Sequence, residues 1–93
     1  MSAVIVRYRV KPGRAEENAE LVRAVYAELT ERAPEGFRYA TFQDGLEFMH
    51  TAFGQFPLSE LEAFRRFQAG IAERCDDPPR VLRDPVGSYG VRP

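Results

Sequence analysis

The dipeptide Asp44-Gly45 constrains the fold most, because it separates two runs of residues with strand character. The runs 37–43 and 46–53 are rich in aromatic residues and threonine, which favour β-strands. Asp-Gly between two such runs is typical of a type I′ hairpin turn. A two-residue turn at this place predicts that Tyr39 and His50 lie opposite each other on one face of the hairpin.

A strand and a helix are predicted before the hairpin. In residues 4–10, three valines and Tyr8 alternate with Ile5 and two arginines, which indicates a strand with an apolar and a more polar face. A helix is predicted over residues 14–32, since apolar side chains recur there at helical spacing. Glutamates in the first turn of this helix complement its dipole.

A helix and a strand are also predicted after the hairpin. Ser59 stands three residues before Glu62, as in a capping box, and an amphipathic helix follows to about Arg74. Consecutive prolines end that helix. A last strand is expected within residues 80–89, at the edge of the sheet, because Pro85 removes a donor from the strand ladder.

The predicted order β-α-β-β-α-β is that of a ferredoxin-like α+β fold, with a four-stranded antiparallel sheet and both helices on one face. We expect one domain over residues 1–93. A chain of this size buries only about 60% of the surface that it exposes when unfolded. Large apolar side chains point to both sheet faces, and a monomer would leave one face in water. The sequence therefore predicts a homodimer whose two sheets enclose a dimeric α/β barrel.

Charge and cysteine content argue against several kinds of partner. The 13 Lys and Arg residues against 14 Asp and Glu residues give a net charge of −1, unlike a general nucleic-acid binder. No apolar run approaches the ~18 residues of a membrane span, and arginines interrupt residues 1–10, so we expect no membrane partner and a cytoplasmic protein. Cys75 is the single cysteine, and no His or Cys spacing predicts a metal or a cofactor.

Several segments together resemble a known family. They are the first strand with its turn Val10-Lys11-Pro12-Gly13, the acidic-led helix, the hairpin and the helix around residues 57–67. In this order they resemble the antibiotic biosynthesis monooxygenase-like domains of the dimeric α/β-barrel superfamily. The resemblance covers nearly the whole chain and implies a dimeric barrel with a small-molecule cavity between sheet and helices.

The resemblance implies more than one function. Members of the superfamily include cofactor-independent oxygenases of phenolic polyketides, quinol oxygenases, haem-degrading enzymes and domains with no known reaction. The leading expectation is a cofactor-independent monooxygenase that binds a small aromatic molecule of the phenol or quinol type. The alternative is a noncatalytic ligand-binding or dimerisation module.

Tyr39 and His50 are the candidate catalytic pair. An imidazole can take a proton from a bound phenol near neutral pH, and Tyr39 would orient His50 or the substrate. The alternative interpretation is a structural histidine packed beside a core tyrosine. The sequence leaves open which sheet face lines the cavity. If the pair lies under the helices, other side chains would line the barrel interior: Arg38, Glu47, Met49 and Thr51.

Arg7, Arg9, Phe64 and Phe67 are the candidate substrate-binding residues. Either arginine could bind an acidic group or steady an oxyanion. The alternative is an ion pair with a carboxylate such as Glu47, or simple exposure. The phenylalanines could form apolar cavity walls, or they could belong to the core.

Two amide side chains are further candidates for the site, and the lack of two other residues bears on haem chemistry. Asn18 and Gln68 are the amides best placed to reach inward, although helical spacing also allows either to face solvent. Haem-degrading relatives are expected to use a Trp and a His on the second helix. This chain has no Trp, and its one His lies on a predicted strand. Haem degradation is therefore the less expected activity.

Overall fold

The sheet and helices follow the predicted order. The computed structural model describes residues 2–90. Its elements are β1 (Ala3–Arg9), α1 (Ala15–Arg32), β2 (Arg38–Asp44), β3 (Glu47–Phe53), α2 (Glu62–Ala69), α3 (Ile71–Arg74) and β4 (Arg80–Arg83). The strands form one antiparallel sheet in the order β2-β3-β1-β4. This arrangement confirms the ferredoxin-like α+β fold.

The hairpin turn lies one residue later than the sequence predicts. Its central residues are Gly45 and Leu46, and Asp44 pairs with Glu47. Gly45 has a φ of +62°, whereas Leu46 is not among the residues with positive φ. Glycine with positive φ at the first central position alone is the pattern of a type II′ turn, so the predicted type I′ turn is wrong.

The later turn changes the strand register but preserves the faces. His50 lies opposite Thr41, and Tyr39 lies opposite Ala52, so the predicted direct pairing of Tyr39 with His50 is wrong. The register differs by two residues from the prediction. Because strand side chains alternate with a period of two, Tyr39 and His50 still share one face.

The second helix starts and continues differently from its prediction. Ser59 lies in a short 3₁₀ turn and its side chain caps no helix, so the predicted capping box is wrong. The carboxylate of Glu28 on α1 takes its place and accepts hydrogen bonds from the amides of Glu62 at 3.2 Å and Ala63 at 2.9 Å. Gly70 then separates α2 from α3.

The last strand is shorter than predicted. It spans Arg80–Arg83, where the sequence allowed residues 80–89. Asp84 has a φ of +60°, a left-handed conformation that leaves the strand, and Pro85 cannot donate to a ladder. The edge position next to β1 agrees with the prediction.

The two faces of the sheet differ in burial. The covered face packs against the helices, and its Tyr8 and Phe48 join α1 and α2 residues in the hydrophobic core. The opposite, open face carries Phe42 and Leu82 with 57% and 52% of their surfaces exposed. Among residues 2–90, no helix has the length and apolar character to span a bilayer.

Candidate functional site

A cavity of about 430 Å³ lies between the covered face and the helices α2 and α3. Its polar lining comes from Tyr8, Tyr39, His50 and Gln68. The remaining lining residues are apolar: Val4, Val6, Ala52, Leu58, Phe64, Phe67, Ile71, Pro79 and Val81. The lining residues within the described range include no Asp, Glu, Lys or Arg. The size and composition suit a small, neutral, largely apolar ligand.

His50 lies at the floor of this cavity and uses both ring nitrogens. It is 6% exposed, and its Nε2 lies 2.7 Å from the hydroxyl oxygen of Tyr8. Its Nδ1 lies 2.8 Å from Thr41 Oγ1 and 3.2 Å from Tyr39 Oη. The ring stacks on Tyr8 and meets Phe67 edge-on, with centroids 5.3 and 5.5 Å apart. These contacts fix the orientation of the imidazole.

The hydrogen bonds continue away from His50 on both sides. On the Nδ1 side, Thr41 Oγ1 lies 2.8 Å from the hydroxyl of Tyr26 on α1. On the Nε2 side, Asn18 Nδ2 donates to Tyr8 Oη at 2.9 Å. Strands β1, β2 and β3 and helix α1 each contribute at least one of these side chains. A single network therefore connects the cavity floor with the interior of the fold.

A buried arginine ends the network on the Asn18 side. Arg74 is 2% exposed and donates from Nε to Asn18 Oδ1 at 2.9 Å. Its Nη2 donates to the backbone carbonyl of Phe67 at 2.8 Å, and its guanidinium lies 5.1 Å from the centroid of the Phe67 ring. Gly70 makes room for it, because a Cβ there would lie 2.9 Å from Arg74 Nη1. A side chain at position 70 would displace the guanidinium.

Burial shapes the electrostatics of the cluster. It lowers the pKa of His50 to about 4, so the imidazole is neutral at physiological pH. Burial also raises the pKa of Tyr8, against the opposing hydrogen bond from Asn18. The pKa of Tyr39 is raised by burial and, to a smaller extent, by the neighbouring tyrosines. The resting site thus presents an uncharged base and protonated phenols to the cavity.

Comparisons with known proteins identify the fold. No protein-family model and no curated protein sequence matches the chain. A Nitrosomonas europaea protein named as a candidate antibiotic biosynthesis monooxygenase has a similar structure, with a TM-score of 0.77, 18% identity and coverage of 96% of this chain and 100% of that one. The chain has the antibiotic biosynthesis monooxygenase-like fold.

Two other solved structures with this antibiotic biosynthesis monooxygenase-like fold give the same result. One is described as an antibiotic biosynthesis monooxygenase and has a TM-score of 0.66, 20% identity and coverage of 95% and 100% of the two chains. The other, PA3566 from Pseudomonas aeruginosa, has a TM-score of 0.70, 22% identity and coverage of 88% and 89%. At these identities the similarity concerns the fold.

Four of the six residues predicted for the site come together on this fold. Tyr39, His50, Phe64 and Phe67 all line the cavity. Phe67 is also part of the hydrophobic core.

The two arginines predicted for the site lie elsewhere. Arg7 and Arg9 are exposed on the open face, because they alternate with Val6 and Tyr8 along β1. Arg7 Nη2 lies 3.8 Å from Glu47 Oε2, between two exposed side chains. The structure therefore does not bring either arginine to His50.

Three residues of the network were not singled out for the site from the sequence. The sequence predicts only a strand position for Tyr8 and Thr41 and only a helix end at Arg74. Asn18, predicted as one of two inward amides, is fully buried, while Gln68 lies exposed at the cavity. No local pattern distinguishes Arg74 from the other arginines of this helical segment, because its contact is with Asn18, 56 residues away.

Among residues 2–90, no group of three or more His, Cys, Asp or Glu side chains lies close enough to hold a metal ion. Cys75 is buried, with 5% of its surface exposed. The titratable side chains that line the described cavity are His50, Tyr8 and Tyr39, which can take part in acid–base chemistry.

Proposed function

We propose that the cavity binds a small neutral aromatic molecule of the phenol or quinol type, and that the protein is a cofactor-independent monooxygenase. The observation that carries this proposal is a buried, neutral imidazole at the floor of an apolar cavity. The imidazole is unprotonated at neutral pH and can accept a phenolic proton where bulk water is excluded. Its lowered pKa makes this transfer uphill, so the phenolate forms only transiently. Proteins of similar structure that are named as antibiotic biosynthesis monooxygenases support the same proposal.

The reaction needs no cofactor if the substrate supplies the electrons. Loss of the phenolic proton makes the ring electron-rich enough to react with O₂. In an anthrone-type phenol, two C–H bonds of the ring CH₂ break, one oxygen atom becomes a carbonyl, and the other leaves as water. This four-electron oxidation of carbon balances the reduction of O₂. Tyr39, whose hydroxyl borders the cavity, would donate a hydrogen bond to the developing oxyanion in place of the arginines.

Oxygen uptake with hydroquinone and anthrone-type phenols tests the activity. We expect uptake by the wild type and a loss of about 100-fold or more in His50→Ala, the usual range for a general base. His50→Gln retains a polar side chain and guards against a folding defect. Arg9→Ala, on the open face, should leave the rate unchanged. Wild-type rates in both His50 variants would refute the role of His50.

Noncatalytic ligand binding is the second candidate function. It is favoured by the fact that both nitrogens of His50 already have hydrogen-bond partners, which leaves the ring well satisfied without a substrate. Binding of 1-naphthol without oxygen uptake from any phenol tested would support this alternative. Haem ligation is less favoured still, because neither ring nitrogen of His50 is free to coordinate iron.

We further propose that residues 1–93 act as one domain of a homodimer. The open face carries apolar side chains from all four strands, including Ile5, Phe42, Met49 and Leu82, and a second copy of the sheet would cover them. The helices would then lie outside, as in a dimeric α/β barrel. Sedimentation velocity should give a dimer mass, and Phe42→Glu should give a monomer. A monomeric wild type at micromolar concentration would contradict the dimer.

Two expectations about the surroundings stay predictions. A cytoplasmic location and the lack of a nucleic-acid partner are based on the net charge of −1 and on the sequence pattern.

A further inference from the structure

The hydrogen bonds around His50 have a direction, and Arg74 sets it. A guanidinium can only donate, so Asn18 must turn its oxygen toward Arg74 Nε, 2.9 Å away. Its amide nitrogen then points to Tyr8 Oη at 2.9 Å and donates there. Without Arg74 the two ends of the Asn18 amide would be interchangeable at this position.

The orientation of the Asn18 amide determines the donor and acceptor roles of Tyr8 and His50. Because Tyr8 Oη accepts from Asn18, its single hydrogen is available for His50 Nε2 at 2.7 Å. The phenolic oxygen could also accept a second hydrogen bond from Nε2, but the Tyr8 hydrogen would then have no acceptor among the hydrogen bonds of residues 2–90. We therefore assign Nε2 as the acceptor and place the imidazole hydrogen on Nδ1. From Nδ1 it is donated to Thr41 Oγ1 at 2.8 Å.

Arg74 can fix the orientation of the Asn18 amide because the groups that contact its guanidinium are neutral. It is buried, and no carboxylate among residues 2–90 forms an ion pair with it. The Asn18 oxygen, the Phe67 carbonyl and the Phe67 ring are its contacts. A buried guanidinium needs its acceptors, so rotation of the Asn18 amide would leave a charged donor unsatisfied.

We propose that Arg74 is a positioning residue that holds His50 in the Nδ1–H tautomer through Asn18 and Tyr8, so that a proton from a cavity ligand reaches His50 only by way of Tyr8. The catalytic half of this proposal rests on the proposed function. The tautomer half is a property of the resting protein and does not depend on turnover.

The proton transfer balances as a two-bond relay. The phenolic O–H bond of the ligand breaks as its proton binds Tyr8 Oη, and the original Tyr8 O–H bond breaks as that proton binds His50 Nε2. The products are a phenolate, a neutral Tyr8 and an imidazolium that carries hydrogen on both nitrogens. Thr41 Oγ1 continues to accept from Nδ1 throughout.

Imidazole ¹⁵N NMR of the tag-free protein tests the tautomer, because the chain has one histidine. We expect Nδ1–H in the wild type at neutral pH. Arg74→Met removes the donor that fixes Asn18 and should shift the tautomer ratio toward Nε2–H by about tenfold, the size expected for one hydrogen bond left unmade. Arg74→Lys keeps a donor and should retain Nδ1–H. Arg66→Met, the same substitution at an exposed arginine of α2, is the matched control, expected to have no effect.

Asn18→Asp keeps the test decisive if Arg74→Met does not fold. The introduced carboxylate only accepts, so it keeps its contact with Arg74 while it takes the Tyr8 hydrogen, and His50 should change to Nε2–H. A wild type in the Nε2–H form, or a tautomer unchanged in both Asn18→Asp and Arg74→Met, would overturn the positioning role.

The relay is tested separately with a phenol that the wild type oxidises. Tyr8→Phe should lose rate to the same extent as His50→Ala, about 100-fold or more. If Tyr8→Phe retains the wild-type rate while His50→Ala loses it, His50 meets the substrate directly and the relay is wrong. If no phenol is oxidised but the tautomer results hold, the proposed function fails and the positioning role of Arg74 stands.

Discussion

The two faces of the sheet carry similar residue types in opposite environments, one buried and one exposed. Each face has aromatic side chains and at least one polar or charged residue from β1 and β3. On the covered face, Tyr8 and His50 are buried and hydrogen-bonded to each other. On the open face, Arg7 and Glu47 form an ion pair in which each side chain is just over half exposed to solvent.

This difference shows that burial, and not residue type, decides which polar groups have a shifted pKa. Burial moves the pKa of His50 far from its ordinary value. The exposed pair of Arg7 and Glu47 is screened by water and contributes little to stability. The covered face therefore contains the candidate site, whereas the open face is available for contact with a second copy.

The largest expected contrast between the faces concerns two phenylalanines. Phe67→Ala should lower the free energy of unfolding by about 3–5 kcal/mol, because it leaves a void in the core beside Tyr8 and His50. Phe42→Ala on the open face should change it by at most about 0.5 kcal/mol in the monomer. Urea unfolding at low protein concentration measures both. Equal losses would mean that the open face is part of the folded core of one chain.

A pH effect on stability should belong to the covered face. The pKa of His50 is about 4 in the folded protein and 6.5 in the unfolded chain, so the unfolded state binds the extra proton first. Stability should be complete above pH 6.5 and fall as the pH drops toward 4. The loss is on the order of 3 kcal/mol.

Chemical denaturation between pH 7 and pH 4 tests this effect. His50→Gln should remove the pH dependence of the free energy of unfolding between pH 6.5 and 4. The carboxylates should still lower the stability at more acidic pH. The lowered pKa of Glu28, caused chiefly by the amide of Ala63, acts in that lower range. A wild-type slope unchanged by His50→Gln would show that His50 titrates normally and is not buried.

The smallest expected effect comes from the charge pair on the open face. Arg7→Ala should change the free energy of unfolding by less than about 1 kcal/mol, because both partners are more than half exposed. Thermal unfolding at low and at high salt measures the change. A loss of several kcal/mol would indicate that Arg7 is buried in the state that exists in solution.

The fold could be predicted from the sequence because it depends on local patterns. Alternation in β1 and helical spacing in α1 identify these elements without knowledge of their neighbours. The side chains of Tyr39 and His50 were placed on one face although the turn was misplaced by one residue. A register change of two residues does not exchange the faces of a strand.

The network could not be predicted because it depends on distant contacts. Arg74 and Asn18 are 56 residues apart, and their hydrogen bond requires the helix break at Gly70 that brings the guanidinium inward. The Glu28 cap on α2 joins residues 35 apart, and no local motif indicates it. Helix-to-helix contacts of this kind are determined by packing, which a single sequence does not display.

The most direct test of the central claim is to locate a bound phenol by NMR. Val81 and Leu82 are neighbours in β4 but face opposite sides of the sheet, and Val81 lines the cavity. With 1-naphthol bound, we predict intermolecular NOEs to the methyl groups of Val81 and Val6 and none to that of Met49 or those of Leu82. NOEs to Leu82 and Met49 without any to Val81 would contradict the claim that the covered face holds the site.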